Sequence, residues 1–261
     1  MRKLKDELRQ GKNILGTMVM NFKSLELAKM LKICGFDFFI VDCEHGPFDY
    51  SDVAGLFAMA RECGIAPMIR IPEARREVIL KAMEMGAAGI LLPQTETAEQ
   101  ADTLVQYSKY APMGNRGVSL LRAHTGFETV PIAREYMDAA NDQTILLTQI
   151  ESELGVQNID EILSVDGIDV AFVGPNDLTQ SMGIIGQTDR PEYLEAIDTI
   201  IATAKKHNKF SGIHIMSTTA LQGYMAKGMT CNLWSNDVSM LMSAAREGVG
   251  QLKECKIECR C

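Results

Sequence analysis

Two carboxylates follow neighbouring apolar runs in the middle of the chain. Glu151 ends the run TILLTQIE, and Asp177 follows the run DVAFVG. If these runs are adjacent parallel strands, both carboxylates lie at the same edge of the sheet and can share a hard divalent cation, with positions left for water and a substrate oxygen. Without a cation the two charges would repel each other. The spacing therefore predicts a metal site, although Asp177 alone is also explained as the N-cap of a helical turn beginning at Leu178.

A histidine and an arginine follow two earlier apolar runs. The segment DCEHGP places Asp42, Glu44 and His45 directly after a buried run, and the tight Gly-Pro loop makes His45 a candidate general base. A structural histidine held by its loop is the alternative. Arg70 ends the run APMIR, where a guanidinium needs an anion. That anion is either a substrate oxyanion or one of the carboxylates Asp42 and Glu44.

Further polar groups are predicted at the same edge. Gln149 lies on the same side of its strand as Glu151, because side chains alternate with a period of two. The segment Pro175-Asn176-Asp177 begins a helical turn whose backbone N–H groups can hold a substrate carboxylate. Every lysine falls on a predicted helix, loop or terminus, which argues against a Schiff-base mechanism. Together, the predicted carboxylates, histidine, arginine and backbone N–H groups suit the binding of an α-keto acid and the electrostatic stabilisation of its enolate.

Eight short apolar or β-branched runs alternate with segments of helical periodicity. The predicted strands are Asn13–Met20, Asp37–Cys43, Ala66–Ile71, Gly89–Pro93, Thr144–Ile150, Asp169–Gly174, Phe210–Met216 and Thr230–Ser235. The predicted helices include Ser24–Cys34, Ser51–Cys63, Glu77–Met85, Ala98–Tyr110, Ile159–Leu163, Tyr193–Lys206, Thr218–Lys227 and Val238–Lys253.

This alternation predicts an α/β protein with a parallel sheet closed into a (β/α)8 TIM barrel. A doubly wound open sheet is the alternative, but no GxGxxG motif follows the first strand and no P-loop occurs. We expect a single barrel domain over residues 1–261, of which 254–261 form a cysteine-rich tail. Cys255, Cys259 and Cys261 lack CxxC spacing and a nearby histidine, so a metal site there is the less favoured interpretation.

Composition excludes several classes of function. The 261 residues are 46% hydrophobic and 23% charged, which is typical of a globular chain. A formal net charge of −8 with scattered basic residues argues against nucleic-acid binding. No run approaches about 18 apolar residues, and the N-terminus has no apolar core of a signal peptide, so we expect no membrane association. Cysteines in apolar contexts favour a cytoplasmic location.

Several blocks resemble the HpcH/HpaI aldolases over about residues 13–250. The matching stretches are FDFFIVDCEHGP, MIRIP, GAAGILLPQTETAEQA, GNRGV, REYMDAAND, QIES and VAFVGPNDLTQSMG.

The resemblance implies a (β/α)8 barrel that cleaves a 4-hydroxy-2-oxo acid to pyruvate and an aldehyde. It places the catalytic histidine at His45, the keto-oxygen-binding arginine at Arg70 and the metal ligands at Glu151 and Asp177, with Gln149 near the substrate. It further implies Mg²⁺, Mn²⁺ or Co²⁺ as the cofactor. The backbone amides that receive the carboxylate are those of Asn176 and Asp177, beside Pro175. The implied assembly is a homo-oligomer, typically a hexamer.

Two positions depart from the family pattern. Glu84 stands where members usually have an aspartate that pairs with the histidine. His214 and Met216 stand where family members tend to have small or aliphatic residues that shape the aldehyde pocket. An unusual aldehyde acceptor, a decarboxylation or another reaction of the same enolate is therefore an alternative. The loop residues Arg116, Ser119 and Arg122 either contribute to that pocket or stabilise their loop.

Two other functions remain as alternatives. A CoA-thioester lyase of the citrate lyase β-subunit type would need a basic groove for the nucleotide, which the scattered charges do not provide. A keto-acid-binding barrel without turnover would have no use for a base at His45.

Overall fold

The computed structural model describes residues 3–254, and eight parallel strands within them form a closed barrel in sequence order. Its strands are β1 Ile14–Val19, β2 Phe38–Asp42, β3 Ala66–Arg70, β4 Gly89–Leu92, β5 Ile145–Ile150, β6 Val170–Val173, β7 Phe210–Ile215 and β8 Cys231–Asn236. All eight predicted strands are confirmed within two residues at each end. The predicted (β/α)8 barrel is therefore correct, and the open sheet is excluded because β1 pairs with β8.

Twelve α-helices surround or extend this barrel in the described part of the chain. They are α1 Leu4–Arg9, α2 Glu26–Ile33, α3 Tyr50–Cys63, α4 Arg76–Glu84, α5 Ala98–Ser108, α6 Ala133–Gln143, α7 Glu153–Gln157, α8 Ile159–Ser164, α9 Pro175–Ser181, α10 Pro191–Lys206, α11 Thr218–Ala226 and α12 Asp237–Glu254. The helices predicted from the sequence did not include α1, α6, α7 and α9. Helix α6 is largely polar, and Asn141 is its one fully buried residue, so its sequence has few apolar residues to reveal it.

Apolar side chains fill two layers, one inside the barrel and one between strands and helices. Phe38 and Ile40 of β2 point into the barrel, while Phe39 and Val41 pack against the helices. Because apolar layers cover both faces of the sheet, the strand sequences are continuous apolar runs. Leu4 of α1 belongs to the interior layer, so α1 closes the N-terminal end of the barrel.

The strands are parallel, so their carboxyl ends meet at one end of the barrel, where sites form in such folds. Among residues 3–254, no helix has the length and apolar character needed to cross a membrane. The cysteine-rich tail predicted at Cys255, Cys259 and Cys261 lies outside the described residues.

Candidate functional site

A cavity of about 330 Å³ lies at the carboxyl ends of the strands. It brings together most of the polar residues that the sequence places at this edge. The predicted residues among its lining are His45, Arg70, Gln149, Pro175, Asn176, Asp177, His214 and Met216.

Arg70 and Asp42 form a bidentate ion pair beside this cavity. They are aligned partners at the ends of β3 and β2. Arg70 Nε donates to Asp42 Oδ1 at 2.9 Å, and Nη2 donates to Oδ2 at 2.6 Å. Burial alone would raise the pKa of Asp42, but the bonds from Arg70 and from two backbone N–H groups hold it below its usual value. The ion pair between Arg70 and Asp42, which the sequence left as an alternative to a substrate oxyanion, is therefore present.

Glu44 adds a third contact to the guanidinium. Its Oε2 lies 3.1 Å from Arg70 Nη1, close enough for an ion pair but without hydrogen-bond alignment. Burial is the main reason that the pKa of Glu44 is raised, and the charges of Asp42 and Asp177 raise it further. An arginine carries five N–H donors, so Arg70 keeps donors for a substrate oxygen after these contacts.

Unlike Asp42, Glu44 and Arg70, His45 is exposed, with 62% of its side chain accessible. Its backbone N–H donates to Asp42 Oδ1, and its Nε2 lies 3.8 Å from Glu44 Oε2. A Cβ at Gly46 would come within 2.3 Å of the Asp42 carbonyl oxygen, so the loop is tight. The backbone of His45 is thus held by its loop, and its exposed side chain lines the cavity.

Glu151 lies beneath the cavity rather than in its wall. Its Oε1 accepts from the Gln94 backbone N–H at 2.7 Å, and its Oε2 accepts from Gln149 Nε2 at 2.5 Å. Gln94 adopts this position with φ of 45°, a left-handed conformation that is uncommon outside glycine. Burial, together with the charges of Asp177 and Glu44, raises the pKa of Glu151 to about 7.

Asp177 stands in the first turn of α9, which begins at Pro175 with Gly174 as its N-cap. The interpretation of Asp177 as the N-cap of a turn beginning at Leu178 is therefore wrong. Its carboxylate raises the pKa of both Glu151 and Glu44 and is thus electrostatically coupled to both acids.

The surroundings of Glu151, Gln149 and Asp177 suit a bound hard divalent cation better than an acidic pocket without one. Burial and repulsion oppose ionisation of Glu151, and a cation would relieve both. Gln149 Oε1 is buried without a hydrogen-bond partner. Residues 3–254 contain no group of three or more His, Cys, Asp or Glu placed to hold a metal. A site here would therefore have Glu151 and Asp177 as its protein carboxylates and keep positions for water or substrate.

Gly174 is required by the position of Glu151. A Cβ at Gly174 would lie within 2.2 Å of Glu151 Oε2 and 2.7 Å of Gln149 Nε2. We expect Gly174→Ala to displace Glu151 and weaken divalent-ion binding about 10- to 100-fold, as disturbing the support of a metal ligand does. Mn²⁺ titration by calorimetry measures this. Gly223→Ala, where a Cβ meets open space on α11, is the matched control and should bind Mn²⁺ normally; equal affinities in both variants would contradict this role.

Glu84 lies at the other end of the barrel. Helix α4 runs back against the strand direction, so its last residue lies near the start of β4. Its carboxylate is 3.3 Å from Arg116 Nη2, 3.8 Å from Arg122 Nε and 3.5 Å from His124 Nε2. Within one chain Glu84 therefore pairs with these residues and not with His45, contrary to the expectation from the family pattern. Arg116, Ser119 and Arg122 likewise lie outside the cavity lining.

Sequence reasoning missed several residues of the cavity wall. Asn236 ends β8, so inspecting that strand end would have found it, and Thr188 follows α9. His214, which the sequence did single out, donates from Nε2 to the Ser235 carbonyl at 2.9 Å. Burial is the main reason that its pKa is lowered, which favours the neutral imidazole in this wall. The other missed lining residues are Gly174 and the apolar Met18, Met20, Phe172 and Ile215.

A family model described as HpcH/HpaI aldolase/citrate lyase matches residues 18–244. The chain belongs to this family. It is 34% identical over 219 residues to the 5-keto-4-deoxy-D-glucarate aldolase of Klebsiella pneumoniae subsp. pneumoniae, covering 84% of each chain. It is 32% identical over 251 residues to the hydroxypyruvate/pyruvate aldolase of Roseobacter denitrificans, covering 96% of each.

The fold agrees with that membership. The crystal structure of an HpcH/HpaI aldolase from Desulfitobacterium hafniense DCB-2 superposes with a TM-score of 0.94 at 32% identity, covering 98% of each chain. The relatives are named aldolases, which are carbon–carbon lyases, and the HpcH/HpaI family member described here is an enzyme of that kind.

Proposed function

We propose that this enzyme is a metal-dependent class II aldolase that cleaves a 4-hydroxy-2-oxo acid to pyruvate and an aldehyde, and forms the same bond in reverse. The observation that carries the proposal is the arrangement of Arg70, His45 and Asp177 around one cavity, with Glu151 directly beneath it. The relatives named as aldolases of keto-deoxy sugar acids and of pyruvate or hydroxypyruvate support this substrate class.

Binding uses the two ends of the keto acid. The first-turn backbone N–H groups of Asn176 and Asp177 have no intrahelical acceptor and receive the substrate carboxylate. Pro175 fixes the start of that turn because its φ is already helical. Glu151 and Asp177 would hold Mg²⁺, Mn²⁺ or Co²⁺, which supplies electrostatic stabilisation where negative charge develops on the keto oxygen. Gln149 holds Glu151 in place by its amide hydrogen bond.

Cleavage needs a base and a site for the developing charge. His45 takes the proton of the C4 hydroxyl, and the C3–C4 bonding electrons move to form the enolate as the aldehyde carbonyl forms. Arg70 donates to the enolate oxygen, while Asp42 fixes the orientation of the guanidinium. The protonated His45 then returns a proton to C3, which yields pyruvate and restores the base. His214 and Met216 line the space left for the aldehyde and so help to select it.

The experiment that tests the proposal is condensation of pyruvate, and separately hydroxypyruvate, with a panel of aldehydes in the presence of Mn²⁺. We expect a new 4-hydroxy-2-oxo acid with at least one aldehyde, and release of pyruvate when the purified product is returned to the enzyme. Absence of both reactions over the whole panel would contradict it.

We also propose that the enzyme is a homo-oligomer, a hexamer by its resemblance to the family. Helix α12 supports this because its residues 241–247 and 249–254 are exposed. Its large apolar residues Leu241, Met242, Val249 and Leu252 are between 43% and 77% accessible. Exposed apolar surface of this kind marks interfaces.

Light scattering coupled to gel filtration measures the assembly. We expect a mass several times that of the chain, and a smaller mass for the double variant Leu241→Glu, Val249→Glu because two charges cannot be buried in an apolar contact. The exposed substitution Lys253→Glu on the same helix is the control. A monomeric wild type would contradict the oligomer.

A further inference from the structure

A second cavity, of about 240 Å³, lies at the N-terminal end of the barrel. It is bounded by the residues before β4, the end of α6 and the start of β5, so it is separated from His45 by the length of the barrel. Its basic lining residues are Lys3, Arg61, Arg116 and His124, and no carboxylate lines it among the residues the structure describes.

Arg116 is the most buried of these cations, with only 2% of its side chain accessible. Its Nη2 lies 3.3 Å from Glu84 Oε1, and its guanidinium stacks 4.5 Å from the Tyr110 ring centroid. Its Nε is buried without a hydrogen-bond partner. A buried charged donor without an acceptor is costly, so this position calls for one.

Two neighbouring side chains of the lining, Arg61 and His124, donate to backbone carbonyls. Arg61 donates from Nη1 to the Met85 carbonyl at 2.9 Å, a contact that brings no negative charge. Nε2 of His124 donates to the Ser119 carbonyl at 2.9 Å, and its Nδ1 contacts the Tyr136 hydroxyl, which donates to the His124 carbonyl at 3.3 Å. Burial is the main reason that the pKa of His124 is lowered, and the charges of Arg116 and Arg61 lower it further.

Negative charge nearby is limited to residues behind the wall. Glu84 contacts both Arg116 and His124 without lining the cavity. Burial lowers the pKa of Arg61, and the charge of the nearby Glu62 opposes that shift. The guanidinium groups of Arg116 and Arg61 therefore line the cavity, whereas the carboxylates nearest to them, Glu84 and Glu62, do not.

The lining also contains apolar and uncharged polar residues. The apolar ones are Leu4, Met83, Ala87, Ala88, Ala139, Ala140 and Ile145, and the uncharged polar ones are Tyr136, Gln143 and Thr144. The volume is below the roughly 300–1,000 Å³ of sites for drug-sized ligands, so an occupant has only a few carbon atoms. Basic side chains together with this apolar surface suit a short aliphatic carboxylate better than inorganic phosphate, because phosphate has no apolar part to cover the alanines.

We propose that this cavity is a binding site for a small carboxylate anion, whose oxygens are held by Arg116 and Arg61 and whose carbon chain packs on Ala139, Ala140 and Ile145. The site is distinct from the proposed catalytic cavity and does not depend on the proposed aldolase activity.

Calorimetric titration of the EDTA-treated enzyme with sodium propionate tests the site, with sodium phosphate as the second arm. We expect saturable propionate binding by the wild type, and at least tenfold weaker binding by Arg116→Gln and by Arg61→Gln. Arg75→Gln is the matched control, since Arg75 is an exposed arginine paired with Glu73 and Glu77, and it should bind propionate as the wild type does. Melting curves establish that each variant is folded, and Arg61→Gln serves if Arg116→Gln is not.

A crystal soaked with 3-bromopropionate locates the ligand independently of any variant, through the anomalous signal of bromine. A bromine peak beside Ala139 and Ala140 supports the proposal. Bromine confined to the cavity of His45, no propionate binding, equal propionate affinity in Arg61→Gln and the wild type, or binding of phosphate alone would each overturn it.

Discussion

Treatment with EDTA should abolish pyruvate release from a 4-hydroxy-2-oxo acid, and added Mn²⁺ or Mg²⁺ should restore it. The reason is the environment of Glu151, whose ionisation is opposed by burial and by the charges of Asp177 and Glu44. A cation bound there offsets the negative charge of the enolate, a contribution of several kcal/mol, so the expected loss is about 10³-fold or more. Pyruvate release, coupled to lactate dehydrogenase, measures it.

Loss of the fold must be separated from loss of the ion. The circular dichroism spectrum should be unchanged by EDTA, because the two apolar layers of the barrel do not include Glu151 or Asp177. Glu151→Gln, which keeps the size of the side chain but removes its charge, should require a higher Mn²⁺ concentration for half-maximal rate. Glu77→Gln, an exposed glutamate of α4, is the control. Full activity with less than one ion per hundred chains would exclude metal-dependent chemistry.

The barrel could be predicted from the sequence because the pattern that indicates it is local and recurs along the chain. Each strand, covered on both faces, is a short apolar run between turn residues, and eight such runs alternating with helices leave few topologies. Helix α6 was missed because its exposed face dominates and only Asn141 is buried. Helix α9 is too short for periodicity to show, and only its Pro175 and the polar turn that follows indicated a helical start.

Residues at the ends of strands were predictable for the same reason. Asp42 and Arg70 are aligned across β2 and β3, and strand alternation brings Gln149 against Glu151. The depth of Glu151 was not predictable, since it depends on the missing Cβ of Gly174 and on the backbone of Gln94. Nor did the sequence show that Glu84 faces the other end of the barrel, which follows from where α4 ends.

Arg70→Ala should reduce kcat/KM by about 3–5 kcal/mol of transition-state stabilisation, roughly 10²- to 10⁴-fold. The guanidinium is 8% exposed and already balanced by Asp42 and Glu44, so its remaining donors are held in fixed positions without further ordering. Exchange of the C3 protons of pyruvate in D₂O isolates the enolate step, because it needs no aldehyde. NMR measures that exchange, and its rate should fall by a similar factor.

Stability must be distinguished from catalysis here, because removing one partner of a buried pair is itself strongly destabilising. Arg70→Lys keeps the charge opposite Asp42 but cannot reproduce the fork of donors that spans Asp42 and Glu44. We therefore expect Arg70→Lys to melt closer to the wild type than Arg70→Ala, yet to lose most of the exchange rate. Asp42→Asn should be destabilised while retaining more exchange than Arg70→Lys. If a folded Arg70→Ala enzyme loses less than tenfold in exchange, the arginine serves only as the counter-charge of Asp42.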